Sequence, residues 1–102
     1  MYHYTNKKGF NSIRSSPTWR FIATKPPGEH PVGAYFTNLP CDTPRLATRL
    51  RIPRDKISFL FEVEDDETLI SIPGGRGKYI FYSTDDYLVE KPQQVGHGPV
   101  AA

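Results

Sequence analysis

The chain has 102 residues, 37% of them hydrophobic, enough for one domain with a modest core and too few for two that fold independently. Thirteen basic against eleven acidic side chains leave a formal net charge of +2, a weak overall field that gives no argument for a nucleic-acid or membrane partner. The single cysteine, Cys41, excludes an internal disulfide, and the sequence shows neither a bilayer-length apolar run nor a leader of basic then apolar residues.

Ten prolines and 13% aromatic residues suit a small, loop-rich α+β domain dominated by strands, with short helices and a core built largely from Tyr and Phe. Met1 to Thr5 predicts a first strand, because aromatic and β-branched residues fit a pleated surface. His3 sits inside it, between two tyrosines. Thr5 and Asn6 are capping candidates for a helix over Lys7 to Ser15, with Phe10 and Ile13 on successive turns and Ser15-Ser16-Pro17 ending it. Trp19, Phe21 and Ile22 predict an extended segment over Thr18 to Thr24. The following Lys25-Pro26-Pro27-Gly28-Glu29-His30-Pro31 cannot be regular structure and reads as a rigid loop.

Gly33-Ala34-Tyr35-Phe36-Thr37 comes next, a β-prone run between Pro31 and Pro40, where prolines are tolerated at strand margins. Alternation turns Ala34 and Phe36 towards the interior and Tyr35 and Thr37 the other way, which places a phenol ring where it can cover a ligand. Asp42 to Leu50, with Pro44 near the first helical position and leucines four apart, predicts a short helix that ends before Pro53. Arg45, Arg49, Arg51 and Arg54 form a basic patch able to hold an anion. Lys56 to Val63 reads as a central strand. Glu64-Asp65-Asp66-Glu67 breaks it, and consecutive acids in a turn diverge and stay solvated, so no metal is expected there.

Thr68 to Ile72 is a further short β segment. Gly74-Gly75-Arg76-Gly77 is rich in glycine, yet a strand follows it and its spacing matches neither a phosphate-binding loop nor a dinucleotide fingerprint. Lys78 to Ser83 and Tyr87 to Glu90 read as a hairpin through Thr84-Asp85-Asp86. From Lys91 on the composition predicts a mobile tail, which divides the chain into a folded unit over 1–90 and a tail over 91–102.

Together, Tyr2-His3-Tyr4-Thr5 and Gly33-Ala34-Tyr35-Phe36-Thr37 resemble the His-Tyr group of ADP-ribosyltransferases, which includes diphtheria-type toxins and poly-ADP-ribose polymerases, and especially its small His-Tyr-Asp toxin clade. The resemblance covers residues 2 to 90. It extends to the order of elements: strand with His, helix, strand with Tyr, short helix, core strand, then two strands after a loop. It implies an ADP-ribosyltransferase-like split β-sheet core with short helices, and NAD as substrate with no metal. The implied activity is cleavage of the nicotinamide–ribose bond and transfer of ADP-ribose to a macromolecular acceptor by a toxin or effector. Such a domain would be a monomer, delivered to act in a cytoplasm, with no membrane partner and with an immunity protein as a further partner.

By position the resemblance assigns His3 to the nicotinamide ribose, Tyr35 to stacking on the nicotinamide ring, and the backbone N–H and C=O of Tyr4 to the carboxamide. Thr5, Gly33 and Phe36 complete the dinucleotide-binding set. The expectation is that the His3 imidazole and the Tyr35 phenol meet across one crevice.

The chemistry asks for such groups. Breaking the nicotinamide–ribose bond builds positive charge on the sugar, so the site must orient the ribose, hold the leaving group and stabilise that charge. An aromatic partner for nicotinamide is worth about 1 kcal/mol beyond its buried area. The third position departs from the family pattern. Family members place a glutamate at the start of the strand after the loop, and alignment puts Lys78 there as the third catalytic position. A cation cannot stabilise a cationic sugar. Asp85, Asp86, Glu67 and Glu90 are the other acids considered, with Asp85 and Asp86 about 20 Å along that strand at roughly 3.3 Å per residue. Hydrolysis of NAD at the same site is the nearest alternative, and a non-catalytic reader of NAD or ADP-ribose is the alternative from another class.

Overall fold

A computed structural model describes residues 1–25, 31–50, 52–72 and 79–100. In chain order these form β1 (Tyr2–Thr5), α1 (Lys7–Arg14), β2 (Trp19–Phe21), β3 (Ala34–Thr37) and α2 (Leu46–Leu50). A 3-10 turn (Arg54–Ile57) then leads into β4 (Phe59–Val63), β5 (Ile70–Ser71), β6 (Ile80–Ser83) and β7 (Tyr87–Val89), and a second turn (Lys91–Gln93) into β8 (Gln94–Pro99). The main sheet has the strand order β5-β6-β3-β1-β4-β8 and the pair β2-β7 forms a second sheet. The fold is mixed α+β, mostly antiparallel sheet with two helices.

Local chemistry explains the start of α1. Asn6 caps it by accepting from the Gly9 N–H at 2.9 Å, which satisfies one of the amides that a helix leaves unpaired at its N-terminus. A Cβ at Gly9 would sit 2.1 Å from Thr5 Oγ1, so the absence of a side chain is what lets the first turn lie against β1. The helix then buries Phe10.

Alternation sorts the main sheet into two faces. One carries Ala34, Phe36 and Phe61 and receives Phe10 from α1 and Trp19, Phe21 and Val89 from the second sheet; with Val63 and Leu69 these make the core. Its rings interlock, with Phe10 4.6 Å from Phe59, Trp19 4.9 Å from Phe61 and Phe21 5.1 Å from Phe36. Each large apolar side chain buried in this way contributes about 1.5–3 kcal/mol. The pairs Tyr2–Thr37, Tyr2–Glu62 and Tyr35–Tyr82 put Tyr2, Tyr4, Tyr35, Thr37, Glu62 and Tyr82 on the opposite face. On that face the Tyr4 hydroxyl donates to the Leu39 carbonyl at 2.7 Å.

The structure departs from the sequence reading in four places. The residues expected to form a mobile tail instead make β8, paired with β4 from Phe59–Pro99 to Val63–Gln94. Without it β4 would be an open edge, and that tertiary pairing outweighs the poor strand composition of Gln94-Val95-Gly96-His97-Gly98. β6 and β7 are not a hairpin, because they belong to different sheets. Asp86 takes the start of β7 to β2 instead, accepting from Ala23 N at 2.8 Å and from the Arg20 guanidinium at 2.6 Å. α2 starts at Leu46, later than Asp42 suggested, since Arg45 has a left-handed φ of 55° that no right-handed helix continues through. The 3-10 turn delays β4 to Phe59.

Candidate functional site

β1 lies between β3 and β4, and its two ladders are unequal. All four of its residues are in register with β4, whereas with β3 the register is the single pair Tyr2–Thr37. Met1 exchanges two backbone hydrogen bonds with Val63, at 2.8 and 2.9 Å. Antiparallel hydrogen bonding alternates along a strand, so His3 and Thr5 also turn their backbone groups to β4, and Tyr2 and Tyr4 turn theirs to β3. Tyr2 finds Thr37 there. The N–H and C=O of Tyr4 face the side on which the β1–β3 ladder has already ended. Further along β3 the partner changes: Gly33 exchanges two bonds of 3.0 Å with Thr24, at the end of the β2 segment. β1 and β3 therefore part after Tyr2, and Tyr35 borders the divergence.

His3 bridges that divergence. Its Nδ1 donates to the Tyr35 carbonyl at 2.8 Å, and because a carbonyl only accepts, the ring hydrogen is on Nδ1. The imidazole packs 4.7 Å from Phe21 and 5.7 Å from Phe36. Burial lowers its pKa, the bond to Tyr35 opposes that, and the charge of Lys56 adds to the lowering. The ring is thus neutral near pH 7, with a lone pair on Nε2.

The Tyr35 ring is on the other face. It stacks on Tyr82 with centroids 5.5 Å apart and planes inclined by 21°, and its hydroxyl donates to the Pro31 carbonyl. Burial raises its pKa, with Tyr82 adding to the effect. The expected meeting of imidazole and phenol is therefore corrected: the two residues touch through the Tyr35 backbone, and their rings lie on opposite faces of the sheet. The cause is the register, which gives Tyr35's face to Tyr2 and Tyr4 and the core face to His3.

The other residues singled out from the sequence have these places. Tyr4 is buried and stacked on Tyr2 at 6.1 Å. Its pKa is raised first by burial and then by Cys41, Tyr2, Asp42 and Glu62. Thr5 is buried against Gly9, and Phe36 belongs to the core. Gly33 is required by packing, since a Cβ there would lie 2.7 Å from the Ser83 carbonyl and 2.9 Å from the Tyr82 ring. Asp86 is held by Arg20, and Glu90 accepts from Thr18 at 3.2 Å. Glu67 lines a cleft of about 280 Å³ with Met1, Asn38, Asp65, Asp66, Leu69 and Phe81. Lys78, His30 and Arg51 lie outside the described residues.

Glu62 went unnoticed in the sequence. It stands across from Tyr2 on the tyrosine face, half-buried, and its charge helps to raise the pKa of both Tyr2 and Tyr4. The available signal was a lone carboxylate alternating with the core residues Phe61 and Val63. Compared with known proteins, the chain matches no family model, no curated protein and no solved structure.

Proposed function

We propose that this domain binds NAD where β1 and β3 part and transfers ADP-ribose from it to a macromolecule, as a toxin or effector of the ADP-ribosyltransferase type with that family's split sheet. The observation that carries the reading is the early end of the β1–β3 ladder. It leaves the N–H and C=O of Tyr4 directed to the side bordered by Tyr35, and a carboxamide, with one carbonyl and one amino group, is complementary to that pair. Tyr35 supplies an aromatic face for the nicotinamide ring. His3 acts from the core face, where its Nδ1 holds the Tyr35 backbone in place. Glu62, on the same face as Tyr35, is the carboxylate this reading assigns to the cationic sugar, in the role that Lys78 cannot fill.

The test is nicotinamide release from NAD, followed with and without candidate protein or nucleic-acid acceptors. The reading expects release that is lost in Tyr35→Ala and in Glu62→Gln. Release that needs no acceptor assigns the domain to NAD hydrolysis at the same site. Release at background with and without acceptors, unchanged by either substitution, removes the enzymatic reading.

One observation favours a second reading. Asp86 and Glu90 are engaged with Arg20 and Thr18, away from Tyr35, which fits a module that binds NAD or ADP-ribose without turnover. Calorimetric heat on adding NAD, with no product formed, supports it.

A further inference from the structure

A cleft of about 380 Å³ lined by Asn11, Arg14, Ser15 and His97 opens at the C-terminal end of α1, beside β8. It is separate from the divergence of β1 and β3. His97 is at the far end of the cross-strand row His3–Phe61–His97, and the Tyr35 ring is on the other face of the sheet.

The lining presents hydrogen-bond donors. Arg14 Nε donates to Asn11 Oδ1 at 3.3 Å while its guanidinium carbon sits 5.3 Å from the Phe10 centroid. That double hold orients the guanidinium and leaves its two terminal nitrogens without a partner among the described residues. With its oxygen taken, Asn11 has its amide nitrogen left to donate. The His97 ring rests on aromatic groups, nearly parallel to Phe61 at 5.9 Å and within 5.4 Å of Trp19 and 5.7 Å of Phe10, with no hydrogen bond from either nitrogen to a described residue. Ser15 has already given its hydroxyl hydrogen to the Ser12 carbonyl at 2.8 Å. No carboxylate lines the cleft.

We propose that this cleft binds a small phosphate monoester through its phosphoryl group. The donors are a guanidinium fork, an amide and an imidazole N–H, pointing from different sides and suited to the three terminal oxygens of a tetrahedral phosphoryl group. The cleft is open to solvent and has room for more than the bare ion. The organic part of an ester would extend from the phosphoryl group along this open surface.

Trp19 is the only tryptophan in the chain and touches His97, so its fluorescence reports on the site. The full chain is titrated with glucose 6-phosphate, inorganic phosphate, sodium acetate and sodium chloride at matched ionic strength. The expected result is a saturable change in Trp19 emission with glucose 6-phosphate, a weaker saturable change with inorganic phosphate, and none with acetate or chloride. Arg14→Gln and His97→Gln, each checked for an unchanged melting curve, should weaken the response roughly tenfold or more, as expected for loss of a charge-assisted hydrogen bond. A response that acetate or chloride reproduces, or that survives in both folded variants, or no response to either phosphate, overturns the proposal.

Discussion

His3 donates its Nδ1 hydrogen to the backbone carbonyl of Tyr35, 2.8 Å away and 32 residues further along the chain. In an unbroken antiparallel sheet that carbonyl would accept from the Tyr4 amide of the neighbouring strand. A side chain has taken the place of the backbone, so β1 and β3 stay joined while the amide of Tyr4 is released from their ladder. The two sequence motifs are one structural unit for this reason, and the substitution of one donor for another accompanies the parting of the two strands.

His3→Phe keeps an aromatic ring against Phe21 and Phe36 but leaves the Tyr35 carbonyl without its donor, at a cost of about 1–3 kcal/mol. The cost depends on pH with a definite sign. The folded-state pKa of His3 is lowered by burial from an unfolded value of about 6.5, so its contribution is fully present above the unfolded value and is lost as pH falls towards the folded one. Thermal melts of the two proteins should differ most near pH 7.5 and converge towards about pH 5. A difference that stays constant over that range would show that His3 is not held neutral.

Gly9→Ala and Gly33→Ala should both destabilise. At Gly9 alanine favours the helix by about 1 kcal/mol, but its Cβ would be 2.1 Å from Thr5 Oγ1. At Gly33 the obstacle is the Ser83 backbone at 2.7 Å, which cannot rotate away. Overpacking of this kind costs about 1–3 kcal/mol, read as a lower urea midpoint. A rise in stability for Gly9→Ala would mean that α1 does not press on Thr5.

β8 makes an alternating prediction for amide exchange. Phe59, Phe61 and Val63 share the register of the Met1–Val63 bonds and turn their backbone to β1, so Leu60 and Glu62 turn theirs to β8, where Gly98 and Gly96 stand opposite them. The amides of Gly96 and Gly98 should exchange slowly and those of Val95 and His97, on the outer edge, quickly. Uniformly fast exchange over residues 94–99 would return this segment to a mobile tail.

Much of the fold was legible because local signals agreed with tertiary packing. Asn6 caps α1, Phe10 faces the core, and Ala34 and Phe36 point inward as the alternation of GAYFT required. β8 was not legible, since Gly96 and Gly98 have no strand preference and only the need of β4 for a partner orders them. Nor was the separation of β6 from β7, because Asp86 looks like a turn residue until Arg20 and Ala23, far back in the chain, are brought beside it. For the candidate site, alternation gave the two faces of β3 but not which of them β1 presents His3 to. Whether Tyr35 shares a face with His3 or with Tyr4 depends on a register that neither motif contains, and the same register brought Glu62 to the tyrosine face.

The most direct test of a nicotinamide site at the β1–β3 divergence is a nitrogen–proton correlation spectrum of the isotope-labelled protein during an NAD titration. The amide signals of Tyr4 and Tyr35 should move together and saturate, and the movement of the Tyr4 signal should weaken by at least roughly fivefold in Tyr35→Ala, a loss of about 1 kcal/mol from one aromatic contact. If no amide in residues 2–5 or 33–37 moves at any NAD concentration the sample tolerates, the site is not there.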